Sequence, residues 1–359
     1  MIKDKSIFIK NIYYMLSYAF SALGQGGYED IAKEEFENIH NLFAAILAKG
    51  IGRQLKQGLY REYLNCKEDL AAVRGKIEIS GTIRSRLAKR RVLTCEFDEL
   101  SENNLLNRIL KTTAMLLLCH ARVDQQYKSD LKKELLFFSN VDTVDPTAIR
   151  WSAIRFQRNN STYRMLISLC QLILEGMLLT TEKGEYRLAS FFDEQRMCRL
   201  YEKFILEYYA KECPQVTAAA SQIPWALDDG EGTMLPVMQS DITLTKGSDV
   251  LIIDAKYYSH TVQTQYDVNT LRSNNLYQLF TYVKNKDTGF GEQPHKVSGM
   301  LLYAATDEAV QPDNVYQMSG NRISVRTLDL NRDFSEIAEQ LNKIAEEHFG
   351  AVIPNPTKK

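Results

Sequence analysis

Residues 240–256 read Ser240-Asp241-Ile242-Thr243-Leu244-Thr245-Lys246-Gly247-Ser248-Asp249-Val250-Leu251-Ile252-Ile253-Asp254-Ala255-Lys256. Two runs rich in β-branched residues flank Gly247-Ser248, a good two-residue hairpin turn. In that register Lys246 faces Asp249, and Asp241 faces Asp254. Strand side chains alternate between faces, so Asp241, Asp254 and Lys256 share one face. Ile242, Leu244, Leu251 and Ile253 share the other, which is wholly apolar and suited to a core. A slip of one residue would invert both faces, so turn chemistry and hydrophobic pattern specify the same register.

Two carboxylates set opposite each other on neighbouring strands stand about 5 Å apart at Cβ and repel. A fold has no need of that arrangement, whereas a divalent cation between them offsets the repulsion. Mg²⁺ suits such a pair, because it takes carboxylate oxygens, keeps several waters and accepts phosphate oxygens. It can polarise a phosphodiester and acidify a bound water. Lys256 can then orient that water or steady the charge of the transition state. A hairpin with two solvated aspartates and a surface lysine is the plain alternative. It does not explain why Asp254 ends the apolar run Val250–Ile253.

Working outward, a helix is predicted over 193–213, with Met197, Leu200, Tyr201, Phe204, Ile205 and Tyr208 at helical spacing. Glu202 lies beside that stripe, as a third acidic metal ligand or as a solvated glutamate. After the hairpin, Gln278 and Tyr282 are four residues apart on a predicted helix over 274–284, hence on one face. They are candidate site residues. Tyr257 points away from Lys256 and reads as packing. Strands are predicted at 297–304 and 323–328, and a last helix at 334–349.

The first half reads differently. A helix rich in aromatics is predicted over 7–23, stopped by Gly24, Gly26 and Gly27, and another over 31–49, stopped by Gly50. Short strands follow between 59 and 79, with a turn at Arg74-Gly75-Lys76. A basic cluster, Arg84, Arg86, Lys89, Arg90 and Arg91, suits contact with DNA or a protein partner, and equally a solvated helix face. Helices are predicted at 102–122, with Ser101 as N-cap, at 124–138 and at 162–179. The expected division is an α+β domain over 1–155, then an α/β domain with a mixed central sheet flanked by helices over 156–359.

Composition sets limits on function. With 359 residues, the chain can bury a sizeable core without disulfides. A net charge of −1 means that DNA binding must rest on local patches or on a partner. The six cysteines form no C-x-x-C pair and, with five scattered histidines, no zinc spacing. Four cysteines sit in apolar or amphipathic runs, which suggests free thiols and a reducing, cytoplasmic setting. No signal-peptide pattern and no run of about 18 apolar residues is found, so no membrane partner is expected. A phosphate-binding G-x-x-x-x-G-K-[ST] loop is missing too, so NTP hydrolysis is not expected of this chain.

The order of parts resembles the PD-(D/E)xK nuclease superfamily: a helix with Glu202, a strand with Asp241, then Asp254-Ala255-Lys256, then Gln278-x-x-x-Tyr282. Ser240 stands where the superfamily's name has proline, and the second acid is aspartate. Further stretches resemble the McrC family: Lys10-Asn11-Ile12-Tyr13-Tyr14-Met15-Leu16-Ser17-Tyr18-Ala19, Phe97-Asp98-Glu99-Leu100-Ser101-Glu102 with Leu106-Asn107-Arg108, Asp254-Ala255-Lys256-Tyr257-Tyr258, and Asn275-Leu276-Tyr277-Gln278-Leu279. McrC is the cleavage subunit of the McrBC modification-dependent restriction system. The resemblance implies a Mg²⁺-dependent DNA endonuclease and a partner, McrB, an AAA+ NTPase ring that usually uses GTP. That ring recognises double-stranded DNA carrying methylated cytosine. The resemblance further implies that the N-terminal half docks on the ring and stimulates its hydrolysis. The rivals are a non-catalytic activator with a nuclease-like fold and a repair nuclease acting on DNA ends.

Overall fold

The computed structural model describes residues 6–20, 28–156, 161–180, 186–188, 193–258, 262–265, 268–306 and 311–350. The chain forms two compact units, one of residues 1–42 with 190–359 and one of residues 43–189. This division differs from a single cut near residue 155, because the first helix belongs with the C-terminal residues. That helix, α1 (Ser6–Ala19), has Ile9, Ile12, Tyr13, Met15, Leu16 and Tyr18 buried. Such a wide apolar face requires a partner element. The glycines expected to stop α1 lie outside the described residues.

A 3₁₀ turn at Tyr28–Lys33 precedes α2 (Ile39–Gln57), which starts later than the expected helix and runs on through Gly50 and Gly52. Two helical glycines cost only about 1 kcal/mol each relative to alanine. Gly52 has a packing reason: a Cβ there would stand 2.8 Å from the Glu134 carboxylate. The helix ends before Gly58, whose φ of +89° an L side chain rarely adopts.

In the 43–189 unit, β1 (Glu62–Leu70), β2 (Lys76–Ile77) and β3 (Leu93–Ser101) form an antiparallel sheet in the order β1-β3-β2. The turn at Arg74-Gly75-Lys76 is present, with Gly75 at φ +69°. Between β2 and β3 lies α3 (Ile79–Leu87), capped by Glu78, whose carboxylate accepts from the Ser80 and Gly81 N–H groups. Arg84 and Arg86 ride on this helix. The Phe97–Ser101 stretch is strand, so Ser101 is not the N-cap of α4 (Leu105–Cys119). Asn104 takes that role, accepting from Asn107 N. Then come α5 (Gln125–Leu135), α6 (Ser161–Met177) and a short hairpin of β4 (Leu178–Thr180) and β5 (Tyr186–Leu188).

The other unit resumes with α7 (Glu194–Glu212), capped by Asp193. Short strands β6 (Thr217–Ala219), β7 (Gln222–Ile223) and β8 (Met238–Gln239) lead to β9 (Ile242–Lys246) and β10 (Asp249–Lys256). A hairpin of β11 (Val262–Gln265) and β12 (Val268–Leu271) precedes α8 (Ser273–Thr288). The unit ends with β13 (Lys296–Ala304), β14 (Asn314–Met318), β15 (Asn321–Leu328) and α9 (Phe334–Phe349). The sheet has the order β14-β15-β13-β10-β9-β6. Its centre, β10, β13 and β15, is parallel; β9 and β14 run antiparallel to it, and β6 pairs antiparallel with β9. The expected mixed sheet flanked by helices is therefore present.

A parallel sheet centre must be covered on both faces. On one face Val250 and Ile252 pack with Leu279, Tyr282 and Val283 of α8. On the other lie α7 and α9, tied together where the Tyr208 hydroxyl reaches Ala338 O and the Tyr209 hydroxyl reaches Leu341 O. In turn α1 packs on α7, with the Tyr18 ring against Phe204 and Tyr208 and its hydroxyl donating to Glu212. The side amide of Asn11 donates to Leu330 O and Arg332 O. These contacts place α1 in this unit.

Gly299 sets how closely α8 approaches the sheet. A Cβ there would stand 2.7 Å from Val283 Cγ2 and 3.0 Å from Ile323 Cδ1 and Leu279 Cγ. Gly299→Val should therefore push α8 off β13 and cost about 1–3 kcal/mol, as overpacking does. Chemical denaturation measures it; unchanged stability would mean that the helix relaxes freely.

Candidate active site

The β9–β10 ladder runs from Asp249–Lys246 to Ile253–Ile242, the register that Gly247-Ser248 predicts, with Gly247 at φ +63°. Asp241 lies one residue past the last pair, in a bend. It does not face Asp254 across the ladder, because the ladder has already ended. Beyond that point the Ala255 N–H lacks a β9 carbonyl, and a buried donor demands a partner. The Asp241 carboxylate supplies it, accepting from Ala255 N at 3.0 Å.

Asp254 is 1 % exposed, and its Oδ1 accepts from Lys256 Nζ at 2.9 Å. The same ammonium lies 3.7 Å from Asp241 Oδ2. Burial pushes the Asp254 carboxyl far above the carboxylate range; Lys256 opposes the rise and Asp241 adds to it. Burial works against the Lys256 ammonium, but Asp254 and Asp241 hold its pKa above the usual lysine value. The three groups therefore form one charge cluster, Asp254 and Lys256 from one strand and Asp241 from the bend beside it.

Glu202 on α7 joins that cluster electrostatically. Its pKa is raised by burial and by the charge of Asp241, and lowered by its bond to Cys198 and by Lys256. The Cys198 thiol donates to Glu202 Oε1 at 3.1 Å. Cys198 and Glu202 are four residues apart on one helix, a spacing visible in the sequence.

Gln278 and Tyr282 do share a face of α8, with Gln278 Nε2 donating to the Tyr282 hydroxyl at 2.9 Å. The Tyr282 ring belongs to the core under the sheet. Among the described residues no hydrogen bond or ion pair joins either to Asp254 or Lys256. Two other residues neighbour Lys256 in the sheet. Tyr303 pairs with Lys256 across the parallel strands and accepts from Asn275 Nδ2 at 3.0 Å. Tyr257 packs edge-on against Tyr201, as its strand position requires.

A cation fits the donors present. Asp254 Oδ2 is buried without a hydrogen-bond partner. Buried polar atoms are nearly always satisfied, so an orphaned carboxylate oxygen beside a second carboxylate is what a hard cation would take up. Among the described residues no three His, Cys, Asp or Glu side chains close into a ready-made cage.

The basic cluster lies elsewhere, in the 43–189 unit. A cleft of ≈ 630 Å³ there is lined by residues including Lys67, Asp69, Arg84, Ser85, Arg90 and Thr94. None of the acids of the cluster above lines it. All six cysteines are free; Cys95, Cys170 and Cys213 are buried and Cys198 is half-buried. No described helix is long and apolar enough to cross a membrane.

Comparison with known proteins bears on both units. The Escherichia coli (strain K12) protein described as "Type IV methyl-directed restriction enzyme EcoKMcrBC" is 28% identical over 345 residues, 95% of this chain and 98% of that one. A chain in the refined half-complex from the tetradecameric assembly of Thermococcus gammatolerans McrB AAA+ hexamers with bound McrC shares the fold. Its TM-score is 0.52 at 19% identity, covering 94% of this chain and 76% of that one. The model of the family described as McrBC 5-methylcytosine restriction system component matches residues 5–304. With most of its length inside that match, this chain belongs to the McrBC 5-methylcytosine restriction system component family.

Proposed function

We propose that this chain is the metal-dependent DNA endonuclease subunit of a modification-dependent restriction system, with a PD-(D/E)xK site. The observation that carries this reading is Asp254: a buried carboxylate with an orphaned oxygen, held by Lys256 and flanked by Asp241. Asp241, Asp254 and Glu202 would hold Mg²⁺. The ion, when bound, polarises the scissile phosphate and makes a water more acidic. Lys256, fixed on the same strand face, donates to the attacking water or to the phosphate as charge builds. Burial around Asp254 strengthens these interactions by lowering the local dielectric. Gln278 and Tyr282 support the site from α8, Tyr282 through packing.

The substrate is double-stranded DNA with methylated cytosine, and the partner is an McrB-like AAA+ ring that hydrolyses GTP. Family membership and the Thermococcus gammatolerans assembly support this reading. The 43–189 unit, with its exposed basic cluster at Arg84–Arg91, docks on the ring and stimulates hydrolysis, in the cytoplasm. A net charge of −1 fits a chain whose partner supplies most of the DNA affinity. The isolated chain should then cut modified DNA poorly, and adding the ring with GTP should raise cutting by at least about tenfold, as steering and delivery do. Efficient, nucleotide-independent cleavage of DNA ends by the purified chain would favour a repair nuclease instead.

A further inference from the structure

We infer that Cys198 is a positioning residue that fixes the Glu202 carboxylate for metal binding. The inference rests on the reading of Glu202 as a ligand. The surroundings of the one sulfur motivate it. The Cys198 thiol donates to Glu202 Oε1 at 3.1 Å. The backbone N–H of Tyr257 also faces this sulfur, closely enough to lower the thiol's pKa. Tyr257 follows Lys256 directly in the chain, where β10 ends. Cys198 therefore links the helix carrying Glu202 to the strand carrying Asp254 and Lys256.

A glutamate has three side-chain torsions and loses considerable freedom when fixed. Glu202 reaches the cluster from a helix on the α7 face of the sheet, while Asp254 and Lys256 stand on the α8 face. A carboxylate that must arrive from the other face needs a guide. With Oε1 held by the thiol, the plane of the group is set and Oε2 is the free oxygen. Hydrogen bonds behind a ligand orient it in this way, and their loss typically lowers metal affinity about 10–100-fold. The Tyr257 N–H beside the sulfur keeps the guide next to the strand that carries the lysine. The thiol is half-buried.

The test is a Mn²⁺ titration of the full chain, read by the loss of free Mn²⁺ signal in electron paramagnetic resonance, with no DNA or partner present. Cys198→Ala should weaken Mn²⁺ binding about tenfold. Cys198→Ser, which keeps a donor and an acceptor, should recover most of it. Cys198→Val fills the volume without bonding and should behave like alanine, so a poorly folded alanine variant does not hide the result. Glu202→Gln separates the two claims. If Glu202→Gln binds Mn²⁺ as the unaltered chain does, the ligand reading falls and this inference with it. If Glu202→Gln loses affinity while Cys198→Ala and Cys198→Val retain it, only the role of Cys198 is overturned.

Discussion

Asp254→Asn and Lys256→Ala should each lower Mg²⁺-dependent cleavage by the full complex by at least about 10²–10³-fold, the scale seen when one transition-state contact is lost. The fold should survive. Asp254 is a buried acid with one orphaned oxygen, an arrangement that costs stability in the metal-free chain. An asparagine keeps the volume and removes the charge. The metal-free Asp254→Asn chain should therefore melt no lower than the unaltered one, while its stabilisation by added Mg²⁺ should shrink. Activity traded against stability at one residue is the expected mark of a functional site. Substantial cutting by either variant would sink the assignment. Ring hydrolysis, stimulated through the other unit, should persist in both.

Removing residues 1–20 should unfold the unit that holds the acids. On α1, Ile12, Met15 and Leu16 are buried, and Tyr18 closes over Phe204 and Tyr208 on the helix that carries Glu202. Each large apolar side chain contributes about 1.5–3 kcal/mol on burial. Four or more such losses rival the whole stability of a typical domain, about 5–15 kcal/mol. The truncated chain should show no cooperative melting transition from this unit and bind no Mn²⁺. A chain lacking residues 43–189, with 1–42 joined to 190–359 by a flexible linker, should keep the metal site and lose stimulation of the ring. If instead a chain starting near residue 156 folds and binds metal, α1 is dispensable and the division of the units is misassigned.

Much of the site was legible in one dimension. The turn at Gly247-Ser248 and the apolar face of Ile242, Leu244, Leu251 and Ile253 fix a local register, and local register places Asp254 and Lys256 on one face. Such inferences succeed because the interacting residues are close in the chain and the period of a strand is two. The helix α7 was legible for the same reason, through apolar spacing.

What only the tertiary structure decided depends on pairs distant in the chain. The end of the β9 ladder one residue early, and the turn of Asp241 onto Ala255 N, depend on how β9 stops beside β10. The strand at 93–101 was hidden because its partners lie 20 to 40 residues upstream, and its charged residues mask the alternation. That a side chain would not fit at Gly52 follows from a neighbour at Glu134 that no local signal announces. Most of all, the place of α1 was beyond reach. Its sequence demands burial, but 170 residues separate it from the unit it completes. An amphipathic helix states that it needs a partner; only the packed chain shows which surface supplies one.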